Sequence, residues 1–346
     1  MIKHIIKTIF LSLVLFLSSC TTMLYTEIDV LRPAKVIFET DDRNLLILNN
    51  TIAQPHNYGH TTQLIGEKKK NVSVNTDSLA IFCLSVLNQE FEKTEFFDRV
   101  DLHLNTVKQS NFFDQKAPTW DSIVHLSKYY GSNVILSLNQ IKVTDNILEY
   151  YNEEFGMYYA VLEANYETVW SLIDPESQKT STFLIRDTIF WDNESSNRKR
   201  AINSLPRRYD ALIDGALYVG QNSINKFVPY WDKEKRYFFS TKNKHLAQGM
   251  DSIYVKNWSA AIDIWTKNLP KSNNSLKAYF YHNLANAYEL SGDIAKSIEY
   301  NNKSLEVLTQ LFSVNYKHFE TISEYNEALL KRKKEIELIN KQLGVK

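Results

Sequence analysis

Few side chains in this sequence have the spacing to do chemistry. His56 and His60 stand four apart in His56-Asn57-Tyr58-Gly59-His60, a separation that on a helix puts two imidazoles on one face within reach of a metal ion. Pro55 and Gly59 disfavour a helix there, so the segment reads as a solvated loop, and no metal or other cofactor is expected. Asp41-Asp42 and Glu153-Glu154 are paired carboxylates of the type that acid–base catalysis uses, but both sit among turn-forming residues and read as solvated turn acids. Arg198-Lys199-Arg200 with Arg207-Arg208 is the densest basic cluster. It reads as a solvated helix entrance, with an anionic headgroup contact as the rival. No G-x-S-x-G elbow, phosphate-cradling glycine loop or H-E-x-x-H motif occurs. The chain is therefore expected not to be an enzyme, and a hydrolase built from dispersed acids with His56 or His60 is the rival catalytic reading.

Cys20 carries the sharpest signal. Ahead of it run a basic start with Lys3 and Lys7, an apolar stretch from Thr8 to Leu17, and Ser18-Ser19. That is the pattern of a secretory signal, and its apolar part is too short to cross about 30 Å of hydrocarbon. Leu17-Ser18-Ser19-Cys20 resembles the bacterial lipobox. The resemblance implies a signal peptide over 1–19, acylation of Cys20 as the first mature residue, a membrane partner through that lipid, and a tether over 20–32. Acyl chains bury about 0.8 kcal/mol per methylene, so two or three hold a domain on a bilayer. Cys83, the other cysteine, lies in Leu79-Ala80-Ile81-Phe82-Cys83-Leu84 and reads as a packing residue.

These residues sit in a chain of 346 residues that is 44% hydrophobic and carries 40 basic and 40 acidic side chains. That is enough for about two domains with cores. Zero net charge argues against a nucleic-acid partner. Over 33–240 the patterns read as an α/β (α+β) domain with a mixed sheet. Strands are expected at Ala34–Phe38, Leu45–Leu48, Phe97–Leu104 and Val134–Val143, and a hairpin is expected to join Met157–Ile173 to Thr180–Phe190 across Asp174-Pro175-Glu176-Ser177. Helices are expected from Asp77 or Ser78 to Phe91, over Trp120–Tyr130 closed by Gly131, and over Pro206–Val228. Thr51–Asn75 reads as a polar loop.

From about Lys244 the strands stop and a period near 34 emerges. Tyr281, Leu284, Ala285, Tyr288, Gly292-Asp293, Ile298 and Leu305 resemble a tetratricopeptide repeat, with Ser297 where alanine is commonest. Gly249, Asn257-Trp258, Ala261, Ile262, Trp265 and Pro270 fit the same template one period earlier. The resemblance implies two all-α repeats over 241–311 and a capping helix over 312–346. Small residues at Gly249, Ala261, Ala285 and Ser297 would let paired helices approach, and Trp265 and Tyr288 would fill the gaps. Asn283, Asn286 and Glu289 are the candidate groove-lining positions, read as exposed.

As a whole the chain resembles a family of Gram-negative envelope lipoproteins of unknown function, through Ser19-Cys20, Val30-Leu31-Arg32-Pro33-Ala34 and the segment from Gly215 to Phe239 with Pro229-Tyr230-Trp231 and Arg236-Tyr237. More distantly, Phe96-Phe97-Asp98-Arg99-Val100, Ser132-Asn133-Val134-Ile135-Leu136 and the Asp174 to Ser177 turn follow the element order of curli-secretion-channel lipoproteins. Those channels insert hairpins into the membrane. Here Asp145, Glu149, Glu153, Glu154, Glu163 and Glu167 leave no lipid-facing alternation. The expectation is an outer-membrane-anchored, periplasm-facing scaffold whose repeats bind a protein or peptide. A homo-oligomeric secretion or assembly component is the alternative.

Overall fold

The structure, a computed structural model, describes residues 22–38, 44–108, 110–311 and 316–344. Cys20, Asp41 and Asp42 lie outside them, as does the start of the expected capping helix at Phe312. The chain forms two compact units, one from Ala34–Pro229 and the other from the residues on either side of it.

The first unit is a mixed sheet with helices on it. Strand β2 (Asn44–Asn49) pairs in parallel with β5 (Arg99–His103) on one side and with the start of β6 (Val134–Asn152) on the other. Leu45 to Leu48 are four consecutive apolar residues because this strand is covered on both faces. Leu45 and Ile47 join the core under helix α1 (Leu79–Thr94), while Leu46 and Leu48 join Ile123 and Leu126 of α2 (Trp120–Tyr130). Thr119 caps α2 through its side chain, and Gly131, at φ 64°, ends it. Farther along, β6 takes β3 (His60–Gln63) in parallel, and β3 takes β4 (Lys70–Asn71). The other edge of β6 pairs antiparallel with β7 (Met157–Asp174), which pairs antiparallel with β8 (Lys179–Ser195). The β7–β8 turn is held by Asp174, whose Oδ1 accepts from the N–H groups of Glu176 and Ser177 at 2.9 Å.

Helices α3 (Arg198–Asn203) and α4 (Arg208–Phe227) follow. Gly220 lets α4 lie against α1, since a Cβ there would stand 2.3 Å from the Cys83 carbonyl oxygen. At Gly215 the Tyr166 ring takes the same space, and its hydroxyl donates to the Leu212 carbonyl at 2.7 Å. Cys83 is fully buried, and burial pushes its thiol up to about 12, which leaves it protonated and unreactive.

Three expectations change here. Residues 34–38 form no strand, because the N–H groups of Lys35 and Val36 bind the Lys226 carbonyl instead of a strand neighbour. Thr51–Asn75 is not all loop: the second half of β6 offers an edge on which β3 and β4 form. β6 itself runs on to Asn152, because β7 pairs with it throughout.

The second unit contains β1 (Thr22–Arg32) and β9 (Tyr230–Ser240), eleven residues each, paired antiparallel from Thr22↔Ser240 to Arg32↔Tyr230. Residues 22–32 are thus a strand and no tether, and residues 230–240 group with the helices and not with the α/β unit. Both strands have side chains in the helical cores, Leu24 and Phe238 in one and Met23 and Phe239 in the next. The helices are α5 (Lys244–Tyr254), α6 (Trp258–Asn268), α7 (Asn274–Leu290), α8 (Ile294–Thr309) and α9 (Tyr316–Gln342). Asn243, Asn257, Asn273 and Asp293 cap the first four through their side chains. Among the described residues no helix is long and apolar enough to cross a membrane.

Candidate functional site: a strand held in a helical groove

The repeat-signature residues fall on the helix contacts. Gly249 on α5 faces Trp265 on α6 so closely that a Cβ would stand 2.0 Å from the indole nitrogen. Ala261 and Trp265 are fully buried, with Trp258 packed against the same core. On α7, Leu284 and Ala285 are fully buried, as is Ser297 on α8. Tyr281 and Tyr288 both meet Tyr300, the Tyr288 ring stacked at 5.1 Å. Gly292 makes the α7–α8 turn at φ 87° with open space around it.

The groove-lining candidates are not exposed. Asn283 and Asn286 are fully buried, and the Glu289 side chain is 5% exposed, because β9 lies along this face of α7. Asn283 Oδ1 accepts from the Phe239 N–H at 2.8 Å while its Nδ2 donates to the Phe239 carbonyl at 2.8 Å. Asn286 Nδ2 lies 3.2 Å from the Tyr237 carbonyl and 3.1 Å from His282 Nε2. His282 Nδ1 lies 3.1 Å from Asn301 Oδ1 on α8, and Asn301 Nδ2 donates to the Ile322 carbonyl on α9 at 3.0 Å. Burial lowers His282 to about 4, so the ring is neutral near pH 7. Nε2 also lies 3.0 Å from the Tyr237 carbonyl, so the single N–H of the neutral ring serves either Asn301 Oδ1 from Nδ1 or that carbonyl from Nε2.

Charge closes the same groove. Arg236 on β9 donates to Glu289 through Nε at 2.6 Å and Nη2 at 2.7 Å, a two-point guanidinium–carboxylate pair. Tyr325 on α9 donates to Glu289 at 2.8 Å. Burial drives the Tyr325 hydroxyl well above its usual range, with the Glu289 charge adding to it, so it stays a donor. At the far end Arg32 bridges Glu335 at 2.7 Å. A cleft of about 170 Å³ remains beside the strand, lined by Arg236, Tyr237, His282, Glu324 and Tyr325 among others. Sequence reasoning missed Arg236, His282 and Tyr325. For His282 a signal was available, since Asn283, Asn286 and Glu289 beside it repeat at helical spacing as a polar stripe, but no local pattern ties Arg236 or Tyr325 to that stripe.

The α/β unit separates the histidines. The His56 side chain is 46% exposed and lies 2.9 Å from Asp77, whereas the His60 side chain is fully enclosed and bound to Asp145 through Nδ1. Arg208 Nε stands 3.0 Å from the other Asp145 oxygen, off the line of a hydrogen bond, so this is a charge contact. Arg208 Nη2 donates to the Thr61 carbonyl and to Thr62 Oγ1, both at 2.7 Å. His60, Asp145 and Arg208 thereby tie β3, β6 and α4 together. Arg198 pairs with Glu149 at 2.8 Å and holds that carboxyl below its usual range. Among the described residues no group of three or more His, Cys, Asp or Glu side chains is placed to hold a metal ion.

Residues 43–239 match the family described as a domain of unknown function (DUF8603), which spans more than half of the chain, and the chain belongs to that family. Residues 247–331 match a second domain of unknown function (DUF6340). No curated protein matches the chain. Among solved structures it is similar to the PelC dodecamer from Paraburkholderia phytofirmans at 9% identity, over 59% of this chain and 97% of that one, with a TM-score of 0.26. It is also similar to a putative neuraminyllactose-binding hemagglutinin homolog from Helicobacter pylori at 11% identity, over 56% of this chain and 90% of that one, with a TM-score of 0.28.

Proposed function

We propose that this protein is a lipid-anchored, non-enzymatic scaffold of the cell envelope, held to the outer membrane through Cys20, facing the periplasm, and engaging a protein or peptide partner through its helical unit. In this reading α5 with α6 and α7 with α8 are two tetratricopeptide-like repeats capped by α9. The observation that carries it is the position of β1. This strand starts at Thr22, two positions after Cys20, and all eleven of its residues pair with the strand that α7 holds. Two residues of chain reach about 7 Å. An acyl group on Cys20 would therefore act on the helical unit with almost no slack, as a scaffold that presents a partner at a fixed distance from a bilayer requires. With β9 in the groove, the partner takes the outer surface of the helices, where Tyr254 at the end of α5 and Val255 just after it are 54% and 74% exposed.

The test is extraction of tagged full-length protein from its own membranes in mild detergent, with Cys20→Ser as the comparison. The reading expects a diacylglyceryl mass on Cys20, release of the Ser variant from the membrane, and a foreign protein in stoichiometric amount. An unmodified Cys20 in soluble protein overturns the anchor. A ring-sized homo-oligomer without a foreign protein replaces the scaffold with the assembly-component alternative.

A further inference from the structure

Strand β8 is left with an open edge. Its seventeen residues pair with β7 from Tyr158↔Ser195 to Asp174↔Lys179, and no other strand among the described residues pairs with it. Sheet edges of this length are ordinarily broken by proline, bulges or charges, because their free N–H and C=O groups template another strand. Near its C-terminal end β8 is partly covered, with Asn193 donating to the Ala201 carbonyl of α3 at 3.2 Å. Over its first half no strand among the described residues pairs with this edge. Thr180-Ser181-Thr182-Phe183-Leu184-Ile185 contains no charge and no proline, consists largely of β-favouring residues, and leaves Leu184 44% exposed.

Beside this stretch runs a slot of about 530 Å³. One wall is Ser181 to Arg186 of β8, and the other is Lys35, Val36 and Ile37. That second wall is fixed, since the Lys35 and Val36 N–H groups bind the Lys226 carbonyl at 3.0 and 2.8 Å. Among the described residues that line the slot, the charged ones are all basic: Lys35, Arg186 and Lys226. Arg186 is shared with Glu167 at 2.9 Å, and Lys226 has Asp187 as a charge neighbour, whereas Lys35, exposed on the other wall, is in no ion pair with an acid among the described residues. Apolar side chains from Val36, Ile37 and Leu184 line the slot beside these basic residues.

We propose that the slot along the first half of β8 binds an extended, acidic segment of a partner polypeptide, which adds to the sheet as a further strand. Main-chain hydrogen bonds to β8 supply the affinity, the apolar wall takes alternate side chains, and the basic rim selects acidic ones between them. The proposal rests on the α/β unit alone and stands whether or not Cys20 is acylated.

The test uses full-length protein and a fluorescein-labelled peptide of five valine-glutamate repeats, read by anisotropy at low and moderate salt. Saturable binding is expected, at least tenfold tighter than for the valine-lysine peptide. It should fall at least tenfold with Lys35→Glu and Lys226→Glu together, and equally when the peptide is N-methylated throughout. Both lysine changes lie at the slot's surface, and an unchanged melting temperature confirms that the variant is folded. Equal binding of the two peptides overturns the charge argument, and binding that survives N-methylation overturns strand addition. Absence of saturable binding overturns the proposal, as does a dimer seen by sedimentation that is lost in the lysine variant while the peptide does not compete.

Discussion

Asn283 clasps the backbone of Phe239 with both ends of its amide, at 2.8 Å each. A side-chain amide has the donor and acceptor of a peptide group, so Asn283 stands where a neighbouring strand would otherwise stand. β9 has β1 on one edge and this clasp on the other, which is why a ribbon of only two strands persists in a helical unit.

Replacing Asn283 by Ala or Leu leaves the Phe239 N–H and C=O buried without partners, at about 1–3 kcal/mol for each unsatisfied group. Urea unfolding of the full chain should show the helical unit losing about 2–6 kcal/mol, with weakened amide-exchange protection along β9. A midpoint equal to wild type would remove the clasp from the account of what holds the strand.

His282 makes this unit sensitive to acid, and the sign follows from its lowered pKa. The neutral ring is the folded form, and the unfolded chain, with an ordinary histidine pKa near 6.5, takes up a proton first. Stability is complete above about pH 6.5 and falls as pH drops toward the folded value of about 4, by up to about 3 kcal/mol. His282→Gln, which cannot titrate, should flatten the stability curve between pH 6.5 and 4 relative to wild type. A parallel pair of curves would show that the ring does not titrate with unfolding.

Gly249 and Gly292 should both lose stability on replacement by alanine, but for different reasons. At Gly249 a methyl meets the buried Trp265 ring at 2.0 Å, so Gly249→Ala should overpack the α5–α6 contact and cost about 1–3 kcal/mol. At Gly292 there is free space but φ is 87°, so only backbone strain is added, on the order of 1 kcal/mol. Thermal unfolding, with near-UV circular dichroism reporting on the tryptophan environment, separates the two. An undisturbed tryptophan signal in Gly249→Ala would contradict the packing described.

Local patterns were the legible part. α2 could be read to its end residues because Thr119 and Gly131 mark both ends of a helix whose apolar side faces the sheet. The β7–β8 hairpin was legible through Asp174, whose side chain stabilises its own turn. β1 was not, since Tyr25, Glu27 and Asp29 point to solvent and the strand exists only through a partner about 200 residues away. The polar stripe on α7 misled for a related reason. Burial of Asn283, Asn286 and Glu289 is made affordable by hydrogen-bond partners on β9, and no pattern within α7 reveals that those partners exist.

The sequence by itself determined the two-part organisation, an α/β region followed by helical pairs, because hydrophobic periodicity, caps and turn residues act over a few positions. Only the tertiary structure decided that β1 pairs with β9 about 200 residues away, that the helical groove is filled by the chain's own strand, and that β8 pairs on one edge alone among the described residues. Each of these depends on which backbone groups find partners far along the chain, and loop closure over such distances adds little to the cost while leaving no local trace in composition.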